Sequence, residues 1–442
     1  MRLPDVPPSA ASTARQLLLG WYRQDPRPFG FAVSNGPKSE SDRLLCYDRD
    51  AHLITVAPTR SGKGRGVIVP NLLHYAGPVI VLDPKGENYQ VTARRRREMG
   101  QQVVKLDPFH VLDEQSDGLN PLDVFTLPGA DIVTDAQMLS GLLASGNTNS
   151  REPFWDLNGC GLITGVITYV ASAKEPPQRN INEVCQLLMS DDVVYNLAVV
   201  LDTVGTMLNK NAKQEIAAFL QMPDQTRGGV LATADSYLKP FLSERVEAAL
   251  ERSSFALSDV REGKPLSIYL IIPPDKLQSH KGLLKFWVGT LLRAITSRTE
   301  APELRTLFVL DECGQLGNFP FLETMITLSA GYGVWCWSFW QDLSQLRAAY
   351  LSSWENILNN CGVVQTFGIN NRAMATQWGQ YLHHSADELH TLRAEEQVVS
   401  IHGEPERRCR RFDYLSDARF AGQYDDNRFF RRRSDASAAP AC

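Results

Sequence analysis

A chain of 442 residues is too long for one ordinary compact core, which leaves two or three domains, or one large α/β domain carrying an insertion. Hydrophobic residues at 43% and charged residues at 21% describe a soluble, folded protein, and the net charge of −5 excludes a global basic field, so any nucleic-acid contact must come from local patches, for which the runs Arg94 to Arg97, Arg407-Arg408 with Arg410-Arg411, and Arg431 to Arg433 are the candidates, each equally readable as a solvated arginine face or tail. Eight cysteines stand as singletons, with no C-x-x-C pair and no cysteine–histidine cluster at ligand spacing, which excludes a structural zinc and points to a reducing compartment.

The chain opens on Pro4, Pro7 and Pro8 in a Ser/Ala-rich stretch without the charged-then-apolar pattern of a signal peptide, and no stretch reaches the roughly 18 apolar residues needed to span a bilayer. Residues 1–45 are read as an N-terminal extension, with 15–22 as one or two amphipathic helical turns packed on the protein. Apolar runs then recur at 53–56, 79–82, 103–106, 267–272, 307–310, 334–339 and 363–367, the mark of parallel strands covered on both faces, and helical patterns lie between most of them. This alternation predicts an open α/β sheet with right-handed crossovers. Between 106 and 267 the strands give way to helical periodicity at 154–171, 181–189, 193–208, 212–220 and 229–241. That block reads as helices inserted into the sheet domain, with Pro176-Pro177 as entry hinge and 223–229 as exit. After about Tyr424 the chain is arginine-rich and then Ser/Ala/Pro-rich, the composition of a mobile basic tail.

The run His52-Leu53-Ile54-Thr55-Val56-Ala57-Pro58-Thr59-Arg60-Ser61-Gly62-Lys63-Gly64 is an apolar strand pouring into a small-residue loop that ends in Gly-Lys, the outline of a phosphate-binding loop. Successive backbone N–H groups in such a loop converge on phosphates, and the helix N-terminus that follows adds a favourable dipole. Thr59, Arg60, Ser61, Gly62, Lys63, Gly64 and Arg65 are the nucleotide-binding candidates, with Lys63 as the point charge on the β- and γ-phosphates. Two positions depart from the standard pattern: Ala57 replaces the first glycine, and Gly64 stands where a hydroxyl normally touches magnesium. Downstream, Arg305-Thr306-Leu307-Phe308-Val309-Leu310-Asp311-Glu312 is a buried strand ending in two carboxylates. Asp311 is the candidate for the magnesium shell and Glu312 for orienting and deprotonating the attacking water. The next strand runs into Gln341, placed to reach the γ-phosphate or that water. Val81-Leu82-Asp83-Pro84-Lys85-Gly86-Glu87 puts further polar groups at the end of another strand.

Taken in order, Thr59-Arg60-Ser61-Gly62-Lys63-Gly64 with Val69-Pro70-Asn71-Leu72-Leu73, then Leu82-Asp83-Pro84-Lys85-Gly86-Glu87, Leu310-Asp311-Glu312, Gln341-Asp342-Leu343-Ser344-Gln345-Leu346 and Asn359-Asn360-Cys361-Gly362 resemble the coupling proteins of type IV secretion and conjugation systems. The resemblance runs from about His52 to about Asp426. It implies an α/β, RecA-like P-loop domain with a mostly parallel sheet (46–175 and 229–426), an inserted all-α domain (176–228) that receives cargo, and a tail (427–442). It also implies a homo-hexameric, DNA-stimulated ATPase with ATP and Mg2+ between subunits. The partners implied are DNA, as relaxosome or nucleoprotein, and the components of the secretion channel. An arginine finger from the neighbouring subunit belongs to this class, with Arg60, Arg347 and Arg372 as candidates. Members usually begin with transmembrane helices. The polar segment before His52 departs from that, so a cytoplasmic location, peripheral at the inner membrane through a partner, is the expectation. Two other readings stand beside the motor: a slowly hydrolysing receptor platform for secreted proteins, and a soluble ATPase that remodels nucleic acid. Trp155, Trp335, Trp337, Trp340 and Trp354 are read as packing residues rather than base-stacking platforms.

Overall fold

The computed structural model describes residues 13–22, 42–144 and 153–428, which divide into two compact units. The first comprises residues up to Val103, Glu303–Gly317 and the chain from Glu323 onward; the second comprises Val104–Pro302 with Asn318–Leu322.

Strands are numbered in chain order: β1 (Leu17–Tyr22), β2 (Arg43–Tyr47), β3 (His52–Val56), β4 (Val79–Leu82), β5 (Gln102–Leu106), β6 (Leu266–Leu270), β7 (Thr306–Leu310), β8 (Val334–Trp340), β9 (Cys361–Thr366), β10 (Glu396–Ile401) and β11 (Arg407–Arg410). In the first unit they lie in the order β2-β1-β11-β10-β9-β3-β8-β7-β4. The neighbours β9-β3, β3-β8, β8-β7 and β7-β4 are parallel. Those from β9 outward through β10, β11, β1 and β2 are antiparallel. β3, β4, β7 and β8 are buried at every position, as both-faces-covered strands must be.

The four outer antiparallel strands are absent from the sequence reading, and one of them corrects it. The stretch 15–22 is no amphipathic helix: from Leu17 it is β1, with Leu17, Leu18 and Leu19 buried. Asn71 explains why. Its side chain accepts from Leu18 N (2.7 Å) and donates to Leu18 O (2.9 Å), standing in for the backbone of a neighbouring strand. Gly20 is required there, since a Cβ would come 2.4 Å from Gln397 Nε2 and 2.9 Å from the Arg410 carbonyl.

The second unit is mostly helical, with β6 beside β5, which crosses the unit boundary, through Ile271 N to Leu106 O (2.9 Å). Its helices start where the sequence supplies caps. Asn180 accepts from Glu183 N (3.1 Å), Asp192 from Tyr195 N (2.9 Å) and Asn209 from Asn211 N (2.9 Å). In Ile181–Leu188 the buried residues Ile181, Val184, Cys185 and Leu188 make one helical face. Residues 176–228 lie within this unit together with helices on both sides of them. The stretch read as the exit hinge, 223–229, is helical from Asp224: Pro223 is the N-cap of the helix Asp224–Leu238. No single helix among the described residues is long and apolar enough to cross a membrane. The predicted tail lies outside the described residues from 429 onward.

Candidate nucleotide site

The parallel registers bring the chemistry-bearing residues of the first unit together. Val56 pairs with Trp340, Leu310 with Ser338, and Leu82 with Leu310, so the phosphate loop, Asp311-Glu312, Gln341 and Asp83 all leave the sheet at the carboxyl ends of its strands. That end is where open α/β sheets bind ligands.

The loop itself is pinned at its root by Ala57 N donating to Trp340 O (2.9 Å). Arg60 (φ 63°) and Gly62 (φ 90°) are both left-handed, on either side of Ser61, the alternation that turns successive N–H groups to one side. For the non-glycine Arg60 this conformation costs of the order of 1 kcal/mol, and Ser61 offsets part of it by donating from N (3.2 Å) and Oγ (2.6 Å) to Pro58 O. Lys63 is buried and directs Nζ onto Ala57 O at 2.9 Å, so its ammonium already lies within the loop. A π-helical turn, Gly64–Ile68, follows and passes into the helix Val69–His74. A Cβ built on Gly64 meets nothing within 4 Å, so no neighbour fills the place of the missing hydroxyl.

Opposite the loop, Asp311 accepts from the Glu312 amide (2.9 Å), and its carboxyl is held above the usual carboxylate range by loss of solvent and by the adjacent Glu312, against the pull of Lys63. Glu312 is left-handed (φ 55°) and its Oε2 accepts from Gln341 Nε2 at 2.9 Å. The base candidate and the sensor candidate are thus in direct contact. Asp83, on the neighbouring strand end, is buried; it accepts from Tyr89 N (2.8 Å), and desolvation pushes its carboxyl up to about 7. Among the described residues no group of three or more His, Cys, Asp and Glu side chains forms a metal cage. This donor set suits magnesium, which is held by one or two carboxylates together with substrate phosphates.

Beside the loop lies an open cavity of about 640 Å³ lined mostly by hydrogen-bonding groups, including Thr59, Gln341, Asp342, Asn370, Asn371 and Gln377. The two asparagines and Asp83's partners carried no signal beyond strand-end position. Of the arginine candidates, Arg372 is exposed and pairs with Asp387 (3.1 Å), whereas Arg347 lies over the Trp354 ring at 4.3 Å and donates to Tyr381 (3.0 Å). The 94–97 cluster is divided: Arg96 is fully buried and donates to the Leu72 and Gly77 carbonyls, Arg94 binds Asp425, and Arg97 is exposed. Trp335, Trp337 and Trp340 are buried packing residues, while Trp155 and Trp354 are partly exposed. The residue sequence reasoning passed over is Arg411, taken only as part of a basic run; it donates to Ser61 O at 2.7 Å.

Comparison with known proteins gives the family and the fold. The chain is similar to the conjugal transfer protein TraG of Escherichia coli, 28% identical over 79% of this chain and 56% of TraG. It is 31% identical to the protein VirD4 of Rhizobium radiobacter over 72% of this chain and 46% of VirD4. The chain spans about half the length of these curated relatives. In three dimensions it is similar to the plasmid coupling protein TrwB in complex with ADP and Mg2+, with a TM-score of 0.61, 15% identity, and 90% of this chain and 95% of that chain covered. This likeness shows the RecA-like α/β fold with an added helical domain. A family described as Type IV secretory system Conjugative DNA transfer matches residues 15–382, and the chain therefore belongs to that family.

Proposed function

We propose that this chain is the ATP-hydrolysing motor of a coupling protein, recruiting DNA or nucleoprotein and moving it toward a type IV secretion or conjugation channel. The observation that carries the reading is the convergence of Lys63, Asp311, Glu312 and Gln341 on one strand-end crevice, with Glu312 and Gln341 2.9 Å apart. Lys63 and the loop N–H groups of 59–65 bind the phosphates of ATP. Asp311 would hold magnesium, which would supply charge neutralisation on the phosphates. Glu312 takes a proton from the attacking water, and Gln341, already bonded to Glu312, relays the state of the γ-phosphate to it. Transferring phosphoryl groups is mostly a matter of such positioning and electrostatic stabilisation. TrwB, whose fold this chain shares, is described with the ATP analogue ADPNP and with ADP and Mg2+, which supports the same ligands here.

The same reading includes a homo-hexamer with nucleotide between subunits, residues 176–228 as the cargo-receiving part, and a peripheral position at the inner membrane. Steady-state ATP hydrolysis, with and without single- and double-stranded DNA at low and moderate salt, tests it. A motor gives DNA-stimulated turnover that weakens as salt rises, because sequence-independent DNA contacts are phosphate contacts. A rate indifferent to DNA replaces the motor with the receptor platform.

A further inference from the structure

The segment that follows β11 returns to the phosphate loop and grips it along successive residues. Arg411 donates from Nη1 to Ser61 O at 2.7 Å, and its other terminal nitrogen donates to Ala394 O. Its guanidinium lies over the Phe367 ring, 4.3 Å from the centroid. A Cβ on Gly62 would come 3.3 Å from Nη1 and one on Gly66 would come 3.5 Å from it, so two glycines keep the approach open. One residue on, the Phe412 carbonyl sits 3.1 Å from the same Gly66 Cβ position. Then Asp413 accepts from Arg65 Nε (2.5 Å), and Tyr414 N donates to Arg65 O (3.4 Å). Phe412, Tyr414 and Phe420 are sunk in a hydrophobic cluster with Leu18, Val69 and Leu73, which fixes the segment against the helix that the loop feeds.

Arg411 holds this place against a cost. Its Nε is buried with no acceptor, and an unmet buried donor costs about 1–3 kcal/mol. A side chain that only filled space beside Phe367 would not need a guanidinium. The Ser61–Gly62 peptide supplies the reason for one. In a planar trans peptide the C=O and the next N–H point in opposite directions. Holding the Ser61 oxygen toward Arg411 therefore turns the Gly62 N–H away from Arg411. A flip of this peptide would change ψ of Ser61 and φ of Gly62, and Gly62 stands in the left-handed region (φ 90°) that only a glycine adopts without strain.

We propose that Arg411 is a positioning residue for nucleotide binding, which locks the orientation of the Ser61–Gly62 peptide so that the Gly62 N–H is presented to the nucleotide phosphates. The proposal rests on the phosphate-loop reading of residues 57–64. In effect the loop's own glycine and lysine supply the contacts, and a residue 350 positions downstream sets their geometry before the ligand arrives.

The test compares the full-length chain with Arg411→Met, Arg411→Lys and Lys63→Ala. Methionine keeps an apolar stem on Phe367 and removes every donor; lysine keeps a charge and one reach toward Ser61 O. Three quantities are read: the dissociation constant of a fluorescent ATP analogue with Mg2+, deuterium uptake by the peptide covering 58–66 in nucleotide-free protein, and the thermal midpoint. Arg411→Met is expected to weaken binding about tenfold, the loss of one charge-assisted hydrogen bond. Uptake over 58–66 should be faster, with a near-native thermal midpoint, and Arg411→Lys should recover part of both. Wild-type affinity and wild-type uptake in Arg411→Met overturn the proposal, as does an affinity loss that only follows a fall in thermal midpoint. Lys63→Ala tests the underlying reading separately: if it binds the analogue as wild type does, the phosphate loop itself is misassigned, whatever Arg411→Met shows.

Discussion

The two flanks of β3, the strand that carries the phosphate loop, are built on different physics. On one side β8, β7 and β4 run parallel, are buried throughout, and deliver Gln341, Asp311-Glu312 and Asp83 at their ends. On the other side, β9 is followed by antiparallel strands held by buried amides. Trp337 Nε1 donates to Thr55 Oγ1 (2.8 Å), Thr55 to Gln365 Oε1 (2.7 Å), Gln365 Nε2 to Gln397 Oε1 (2.6 Å), and Gln397 Nε2 to Leu19 O (2.5 Å). This relay passes from β8 through β3, β9 and β10 to β1, with Thr55, Gln365 and Gln397 fully buried. The difference teaches that one flank carries the groups to which the proposed function assigns the reaction, while the other is held together by a buried polar relay around the strand that bears the loop. The first flank tolerates hydrophobic exchange in its strands; the second requires every polar partner, since a half-satisfied buried network is worse than none.

The largest effect should come from the reacting flank. Glu312→Gln keeps the side chain's size and its contact with Gln341 but removes the base, so turnover should fall by at least about 100-fold while nucleotide affinity stays near wild type. Single-turnover hydrolysis together with analogue binding measures both. Equal losses in the two would mean that Glu312 shapes the loop rather than the water. On the supporting flank, Gln365→Leu should destabilise the protein by about 3 kcal/mol in urea unfolding, because it strands the Thr55 hydroxyl and the Gln397 oxygen in a dry layer. An unchanged stability would mean that the relay specifies register without holding the fold together.

This contrast also explains what could be read from the sequence. The apolar runs at 79–82 and 307–310 announce strands without interruption, and a strand-end rule then locates Lys63, Asp311, Glu312 and Gln341. β11 is Arg-Arg-Cys-Arg and β10 holds Glu396 and Gln397, a composition that reads as surface. Their placement depends on partners far away in the chain: Leu19 O for Gln397, Asp42 for Arg410, Ser61 O for Arg411. Polar residues that are buried only because a remote group satisfies them carry no local period, so neither the antiparallel strands nor the Arg411 contact was legible. β1 was misread for the same reason, since its strand partner is in part the side chain of Asn71.

His52, at the start of β3, sharpens the comparison through pH. Its Nδ1 accepts from Cys336 N (3.1 Å), its Nε2 is buried without a partner, and burial followed by the Arg305 charge lowers its pKa to about 4. The folded-state value lies below the ordinary value of 6.5, so the stability held by neutral His52 is complete above pH 6.5 and is lost as pH falls through about 4. Asp83, raised to about 7, acts with the opposite sign over much of this range, so the readout is wild type against His52→Asn, which keeps an acceptor and does not titrate. Relative to that variant, wild type should lose about 2 kcal/mol of unfolding free energy between pH 7 and pH 5.

The smallest effect should come from the most conspicuous ion pair of the supporting flank. Arg65 and Asp413 join through two guanidinium hydrogen bonds, and Asp413 is held below the usual carboxylate range by Arg65 and by its other hydrogen bonds. Yet the Arg65 side chain is 45% exposed, where water already solvates the charge and salt screens it. A double-mutant cycle with Arg65→Ala and Asp413→Ala should give a coupling of about 0.5 kcal/mol that fades at about 1 M salt, where the Debye length is only about 3 Å. A coupling several times larger that survives high salt would mean that the segment after β11 is clipped to the loop by charge, and that its packed residues Phe412 and Tyr414 contribute less than their burial implies.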